Sequence, residues 1–314
     1  MWSHRHLLGI AHLSREDILE VLDRADAWFA MPRDEGKHAR PLHGRTVINL
    51  FFESSTRTRT SFEVAGQRLG GDVVNVSPQT SSVTKGETLL DTVKNLEALR
   101  ADAIVIRHPS SGAPAFVAAH AHTSIVNGGD GSHEHPTQAL LDALTIRRHG
   151  KTFDGLTVAI CGDILHSRVA RSNALLLGAL GSDVRLCGPR TLMPASVESL
   201  GPTARAYPRL VDAVAGADVV MMLRIQNERL RGAMIASTRE YARTFGLNAH
   251  VLAKAKPDAI VMHPGPINRG VEIDPRVADG PQSVILEQVE AGVAIRMAVL
   301  ELVVRTADQA RASG

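Results

Sequence analysis

FFESSTRTRTSFEVAGQRLG, residues 51–70, holds a change of structure in a few positions. The apolar run TVINLFF (46–52) reads as a buried strand, Ser54–Arg59 is made of hydroxyls and guanidinium groups, and a helical pattern follows. A strand that runs into a helix beginning SSTRT gathers free backbone N–H groups, the positive end of the helix and hydroxyl donors in one place. Such a junction is an anion site, and phosphate is its natural guest. Arg57 and Arg59 lie about 200° apart around a helix axis, so one meets the anion and the other holds structure. The chain has neither GxxxxGK[ST] nor GxGxxG at a strand end, so the junction is not a mononucleotide or dinucleotide loop of those kinds.

The same kind of strand recurs after this stretch: DVVNV (72–76), DAIVIR (102–107), TSIVN (123–127), then TVAIC, SDVRLC, ADVVMML and DAIVMH, with helical segments between. Short continuous apolar strands alternating with helices predict an α/β protein with parallel sheets covered on both faces. A chain of 314 residues accommodates two sheets of about four strands better than one of eight. HPTQALLDALTIRRHGKTFDG reads as a long helix and turn, which puts the boundary between two doubly wound domains at 149/150, linked by long helices. Domains are expected over 1–149 and 150–282, with a C-terminal helix at 283–307 packing back on the first. SPQTSSVTKGET (77–88) and RLRGAMIASTREYARTFGLN (229–248) read as exposed loops of the lid type, the second with enough apolar residues to fold down on a neighbour.

Composition narrows the partners. A formal charge of +2 gives no basic field for nucleic acid, and 4 % aromatic residues leave little for base stacking. Apolar runs fall short of the roughly 20 residues that span a bilayer, and the N-terminus lacks a secretory pattern, so no membrane and a cytoplasmic location are expected. Cys161 and Cys187 each end a strand-like run and read as reduced core thiols. HEH (133–135) has the H-x-H form, with His120, His122 and His263 elsewhere, but carboxylate and cysteine partners at ligand spacing are missing; no metal or other cofactor is expected.

FFESSTRTRTSFEVAGQRLG resembles the phosphate-binding signature of the aspartate and ornithine carbamoyltransferases. SSVTKGETLLDT, VIRHP, GDGSHEHPTQALLD, GDILHSRVARS, MLRIQNER and MHPGPINRG match in the same order, over about residues 50–273. The resemblance implies that a carbamoyl group passes from carbamoyl phosphate to an amine across an interdomain cleft. It places Ser55, Thr56, Arg57, Thr58 and Arg107 on the phosphate; Thr58, Arg107 and His135 on the oxygen where charge develops; Gln138 on the carbamoyl amide; and backbone of Gly265 and Pro266 on the carbamoyl group. Arg57, Thr58, Arg107 and His135 carry the catalysis in this reading, and no nucleophile or dedicated base is needed, since the departing phosphate can take the proton.

The second substrate divides the family. Two carboxylates on aspartate call for arginine, and Arg168 and Arg224 with Gln226 match that branch; ornithine enzymes carry a cysteine where this chain has Gly265. By resemblance Lys85 and Ser81 reach into a neighbouring subunit's site, Lys85 to the aspartate, which implies a homotrimer. L-aspartate is therefore the expected acceptor and pyrimidine biosynthesis the expected pathway. Relatives work as free trimers, with zinc-bearing regulatory chains or with a dihydroorotase, and the sequence leaves these partners open. Departures at Ile164–His166 of GDILHSR and at Gly265 of HPGP imply altered affinity with unaltered chemistry.

Overall fold

The computed structural model describes residues 2–31, 40–77, 86–226, 235 and 237–313. The chain divides into two compact units, residues 1–144 with 289–314, and residues 145–288. Among the described residues no helix is long and apolar enough to cross a membrane.

Unit 1 is built on a parallel sheet of β1 (Thr46–Phe51), β2 (Asp72–Val76), β3 (Ala103–His108) and β4 (Ser124–Asp130), in the order β2-β1-β3-β4. Ile48, Leu50, Ile104, Ile106 and Ile125 pack with Val93 and Val117 into one core cluster. The β-branched runs are fully buried because helices lie over the sheet: α1 (Arg15–Ala30), α2 (Thr56–Arg68), α3 (Leu89–Ala98), α4 (Ala113–Ala118) and the first part of α5 (Pro136–Arg148). The N-terminal segment joins this sheet at its β4 edge, where Leu7 N–H donates to Ile125 O at 2.9 Å and Asn127 N–H to Leu7 O at 2.8 Å.

Unit 2 carries β5 (Thr157–Cys161), α6 (Arg168–Ala179), β6 (Asp183–Cys187), β7 (Ala204–Tyr207), α7 (Leu210–Val214), β8 (Val219–Met222), α8 (Thr238–Phe245), α9 (Ala249–Leu252), β9 (Ile260–Met262) and α10 (Pro275–Ala278). Its parallel sheet has the order β7-β6-β5-β8-β9. Cys161 and Cys187 stand opposite one another in register on β5 and β6 as buried free thiols, and the neighbouring thiol and burial push Cys161 up. The final helix α11 (Ile285–Ser313) starts in unit 2 and runs through unit 1, where Val303 O accepts from Ser124 Oγ at 3.1 Å and Glu301 accepts from Trp28 Nε1 at 2.7 Å.

The two-sheet α/β architecture agrees with the strand runs read from the sequence. Two details differ. The second sheet has a fifth strand, β7, whose ARAY sequence is mostly exposed and gives no apolar run. The stretch expected as a loop at 229–248 contains helix α8 at Thr238–Phe245, capped by Ser237 Oγ accepting from Glu240 N at 3.1 Å, with Tyr241 buried. Residues 227–234 and 236, and 78–85 of the other expected loop, lie outside the described residues.

Candidate functional site

Both units place their candidate residues by the same topological rule. In unit 1, β1 is followed by β2 on one side and then by β3 on the other, so the order reverses between β1 and β3. Loops leaving the C-terminal ends of strands at such a point diverge and leave a ligand crevice. The β1 end carries Ser55–Thr58, and the β3 end carries Arg107, paired in register with Phe51. In unit 2 the reversal falls between β5 and β8. The β5 end leads to Arg168, and the β8 end to Arg224 and Gln226.

The β1–α2 junction takes its form from Ser55, which occupies the N-cap position of α2 in extended conformation (φ −158°, ψ 92°) without a capping bond from its side chain. The Ser55 side chain thus satisfies none of the first N–H groups of α2. Arg57 is exposed, whereas Thr58 is buried. Thr58 Oγ1 lies 3.5 Å from Nη1 of Arg107, which also reaches Gly128 O at 3.4 Å. Glu53, inside the opening stretch but unassigned by sequence reasoning, puts its carboxylate 3.3 Å from Nε of Arg107. An acid there fixes the guanidinium in place.

His135 and Gln138 come from the turn after β4 and the first turn of α5, tied by the Gln138 N–H bond to His135 O at 3.0 Å. His135 is 4 % exposed. The three residues of HEH go separate ways: His133 Nδ1 lies 3.1 Å from Asp130, and Glu134 accepts from the backbone of Ile10 at 2.8 Å. Among the described residues no group of His, Cys, Asp and Glu is placed to hold a metal ion. Asp130 organises this corner, accepting from Asn127 Nδ2 at 2.8 Å, Gly112 N at 2.6 Å and Glu134 N at 3.1 Å. Nothing in its GDG setting singled it out from the sequence.

In unit 2, Gly162 follows β5 with φ 144°, and a Cβ there would run into the Leu223 carbonyl of the β8 loop, so glycine permits the two loops to touch. Asp163 binds His166 from Oδ1 to Nδ1 at 2.9 Å, and Gln226 Nε2 donates to His166 O at 3.1 Å. The β5 and β8 loops are thereby joined through two residues of the GDILHSR segment. Arg168 opens α6, 6 % exposed, its helix capped by Ser167. A guanidinium at the positive end of a helix favours a shared anion.

The HPGP turn contains a cis Gly265–Pro266 bond, with Gly265 at φ 67°. His263 holds it: Nδ1 accepts from Gly265 N at 2.8 Å, and Nε2 lies 3.1 Å from the buried Glu272. Glu272 also accepts from Asn268 N at 2.6 Å, so one carboxylate braces both arms of the turn. The structure thus groups Ser55–Thr58, Arg107, His135 and Gln138 in unit 1 and Arg168, Arg224, Gln226, Gly265 and Pro266 in unit 2; Ser81 and Lys85 lie outside the described residues.

Comparison with known proteins matches residues 5–148 to the aspartate/ornithine carbamoyltransferase carbamoyl-P binding domain and 154–303 to the Asp/Orn binding domain of the same family. The chain is 63 % identical over 314 residues to the aspartate carbamoyltransferase catalytic subunit of Sorangium cellulosum, covering 100 % of this chain and 97 % of the relative. Among solved structures, ornithine carbamoyltransferase from Pyrococcus furiosus is similar with TM-score 0.85 and 32 % identity, covering 95 % of this chain and 96 % of the other. Aspartate transcarbamoylase from Trypanosoma cruzi, in complex with carbamoyl phosphate and aspartate, has TM-score 0.85 and 34 % identity, covering 94 % and 95 %.

Proposed function

Since the chain belongs to the aspartate/ornithine carbamoyltransferase family, we propose that it transfers the carbamoyl group of carbamoyl phosphate to the α-amine of L-aspartate, giving N-carbamoyl-L-aspartate and phosphate for pyrimidine biosynthesis. The choice of amine rests on the 63 % identity along the whole chain to an aspartate enzyme. Fold likeness does not decide it, because an ornithine enzyme and an aspartate enzyme superpose with the same TM-score of 0.85. Gly265 in place of a thiol, and Arg168, Arg224 and Gln226 on the loops at the unit 2 switch point, support the same choice.

In this reading the start of α2, with Ser55, Thr56, Arg57 and Thr58, and the Arg107 fork hold the phosphoryl oxygens. Arg107, Thr58 and His135 stabilise the negative charge that grows on the carbamoyl oxygen as the amine attacks; such fixed donors in a water-poor site contribute roughly 10²–10³-fold each to turnover. Gln138 and the backbone at Gly265 and Pro266 hold the carbamoyl group. Arg168, Arg224, Gln226 and Lys85 take the aspartate carboxylates. The attacking amine forms the C–N bond, the C–O bond to phosphate breaks, and the departing phosphate accepts the amine's proton. Positioning two anions together supplies most of the rate.

The family resemblance also supports a homotrimer in the cytoplasm, with Ser81 and Lys85 completing a neighbour's site. Sedimentation should then give a trimer, and activity should fall on dilution to monomer; full specific activity in a monomer would remove the shared site. The function is tested by giving the purified protein carbamoyl phosphate with either aspartate or ornithine and identifying the product by mass. Carbamoylaspartate is expected, whereas citrulline would overturn the amine assignment and leave the phosphate site standing.

A further inference from the structure

Gln138 donates from Nε2 to Oδ1 of Asp142 at 3.0 Å, one turn further along α5. Asp142 is wholly buried and Gln138 is 9 % exposed. An ionised carboxylate only accepts, so it is satisfied by the NH₂ end of the amide, and flipping that amide would set oxygen against oxygen. The end of Gln138 left for a ligand is its carbonyl oxygen.

The same unit buries a cation on α11, Arg296. Arg296 is 3 % exposed and stacks over the Phe62 ring of α2 at 5.1 Å, and its Nη1 donates to Gly292 O at 2.9 Å. Burial lowers its pKa to about 10, and the Asp142 charge opposes that shift. The guanidinium fits because residue 292 is glycine: a Cβ there would stand 2.5 Å from Nη1. Asp142 of α5 and Arg296 of α11 are thus both buried in unit 1, and their charges act on one another.

We propose that Asp142, by accepting from Gln138 Nε2, is a positioning residue that fixes the Gln138 amide with its carbonyl oxygen toward the substrate, so that the site selects a carbamoyl group over an acetyl group on the same phosphate. The inference rests on the carbamoyl-binding role given to Gln138 above. A carbamoyl NH₂ donates to that oxygen; the methyl of acetyl phosphate, otherwise nearly the same shape, leaves it dry and unpaired. A flipped amide would set donor against donor and lose the preference.

The test compares KM for carbamoyl phosphate with Ki for acetyl phosphate and for inorganic phosphate. Asn at 142 satisfies Gln138 in either orientation, so Asp142→Asn should shrink the preference for carbamoyl over acetyl phosphate by roughly three- to tenfold, the worth of one neutral hydrogen bond. Inorganic phosphate should bind as before. Asp142→Asn leaves Arg296 buried beside a neutral neighbour, which endangers folding, so Asp142→Asn with Arg296→Met, lacking both charges, is measured in parallel. In a Gln138→Ala background the substitution at 142 should have no further effect on the preference. Equal weakening of all three anions, or an undiminished effect without Gln138, would overturn the inference. The two readings fail separately: a wild-type enzyme that makes no carbamoylaspartate removes the function and this proposal together, while an active enzyme with an unchanged preference in the folded variants removes this proposal alone.

Discussion

Arg57 and Thr58 are neighbours in sequence with opposite surroundings, one exposed and one buried. Replacing Arg57 by alanine therefore opens no core cavity. We expect Arg57→Ala to lower kcat/KM by about 10²-fold or more with the thermal midpoint nearly unchanged; full activity in that variant would remove the phosphate assignment. His6 gives a second outcome. Burial, and the Arg5 charge beside it, lower its pKa to about 4, while its Nδ1 accepts from Ile125 N–H at 3.0 Å. The unfolded histidine titrates near 6.5, so between pH 6.5 and 4 the unfolded chain binds the extra proton. This contribution to stability is complete above pH 6.5, is lost progressively down to pH 4 and changes no further below. Urea midpoints measured across that window should fall less steeply for His6→Gln than for the wild type.

Among the elements, α8 shows how a polar sequence can still fold into a regular piece. STREYARTFGL reads as loop because polar residues outnumber apolar ones in it, yet Ser237 caps the helix and Tyr241 and Phe245 stack on one side with ring centroids 5.7 Å apart. Ser237→Ala should cost about 1 kcal/mol by chemical denaturation, as for other lost caps. Strand β7 escaped notice for a different reason: an edge strand with one covered face needs no apolar run. The central strands were readable because they are covered on both faces, which demands continuous Val, Ile and Leu.

For the whole molecule, the parallel order of each sheet puts the loops that carry the candidate residues at a reversal of strand order, a property of connectivity that no single motif contains. Ligand that binds only the folded chain must stabilise it: at about 100 times its Kd, carbamoyl phosphate should add about 2.7 kcal/mol. A thermal midpoint unmoved by carbamoyl phosphate at such concentrations would contradict the phosphate site. Arg57→Ala should show a much smaller shift at the same concentration.

The α/β class, the strand-to-helix junction at 51–70 and the family were legible before folding, because each depends on contiguous residues: burial on both faces, a helix start straight after a strand, and long ordered motifs. The sequence also named Arg107, His135 and Arg168, but only through resemblance, since a lone arginine or histidine has no local pattern that marks it. The partners appear only once the chain is folded: Glu53 on Arg107, and Glu272 bracing the cis turn through His263. Glu53 and Arg107 lie 54 positions apart in the numbering. Charge neutralisation in a buried place depends on what the fold brings near, and spacing along the chain does not record it.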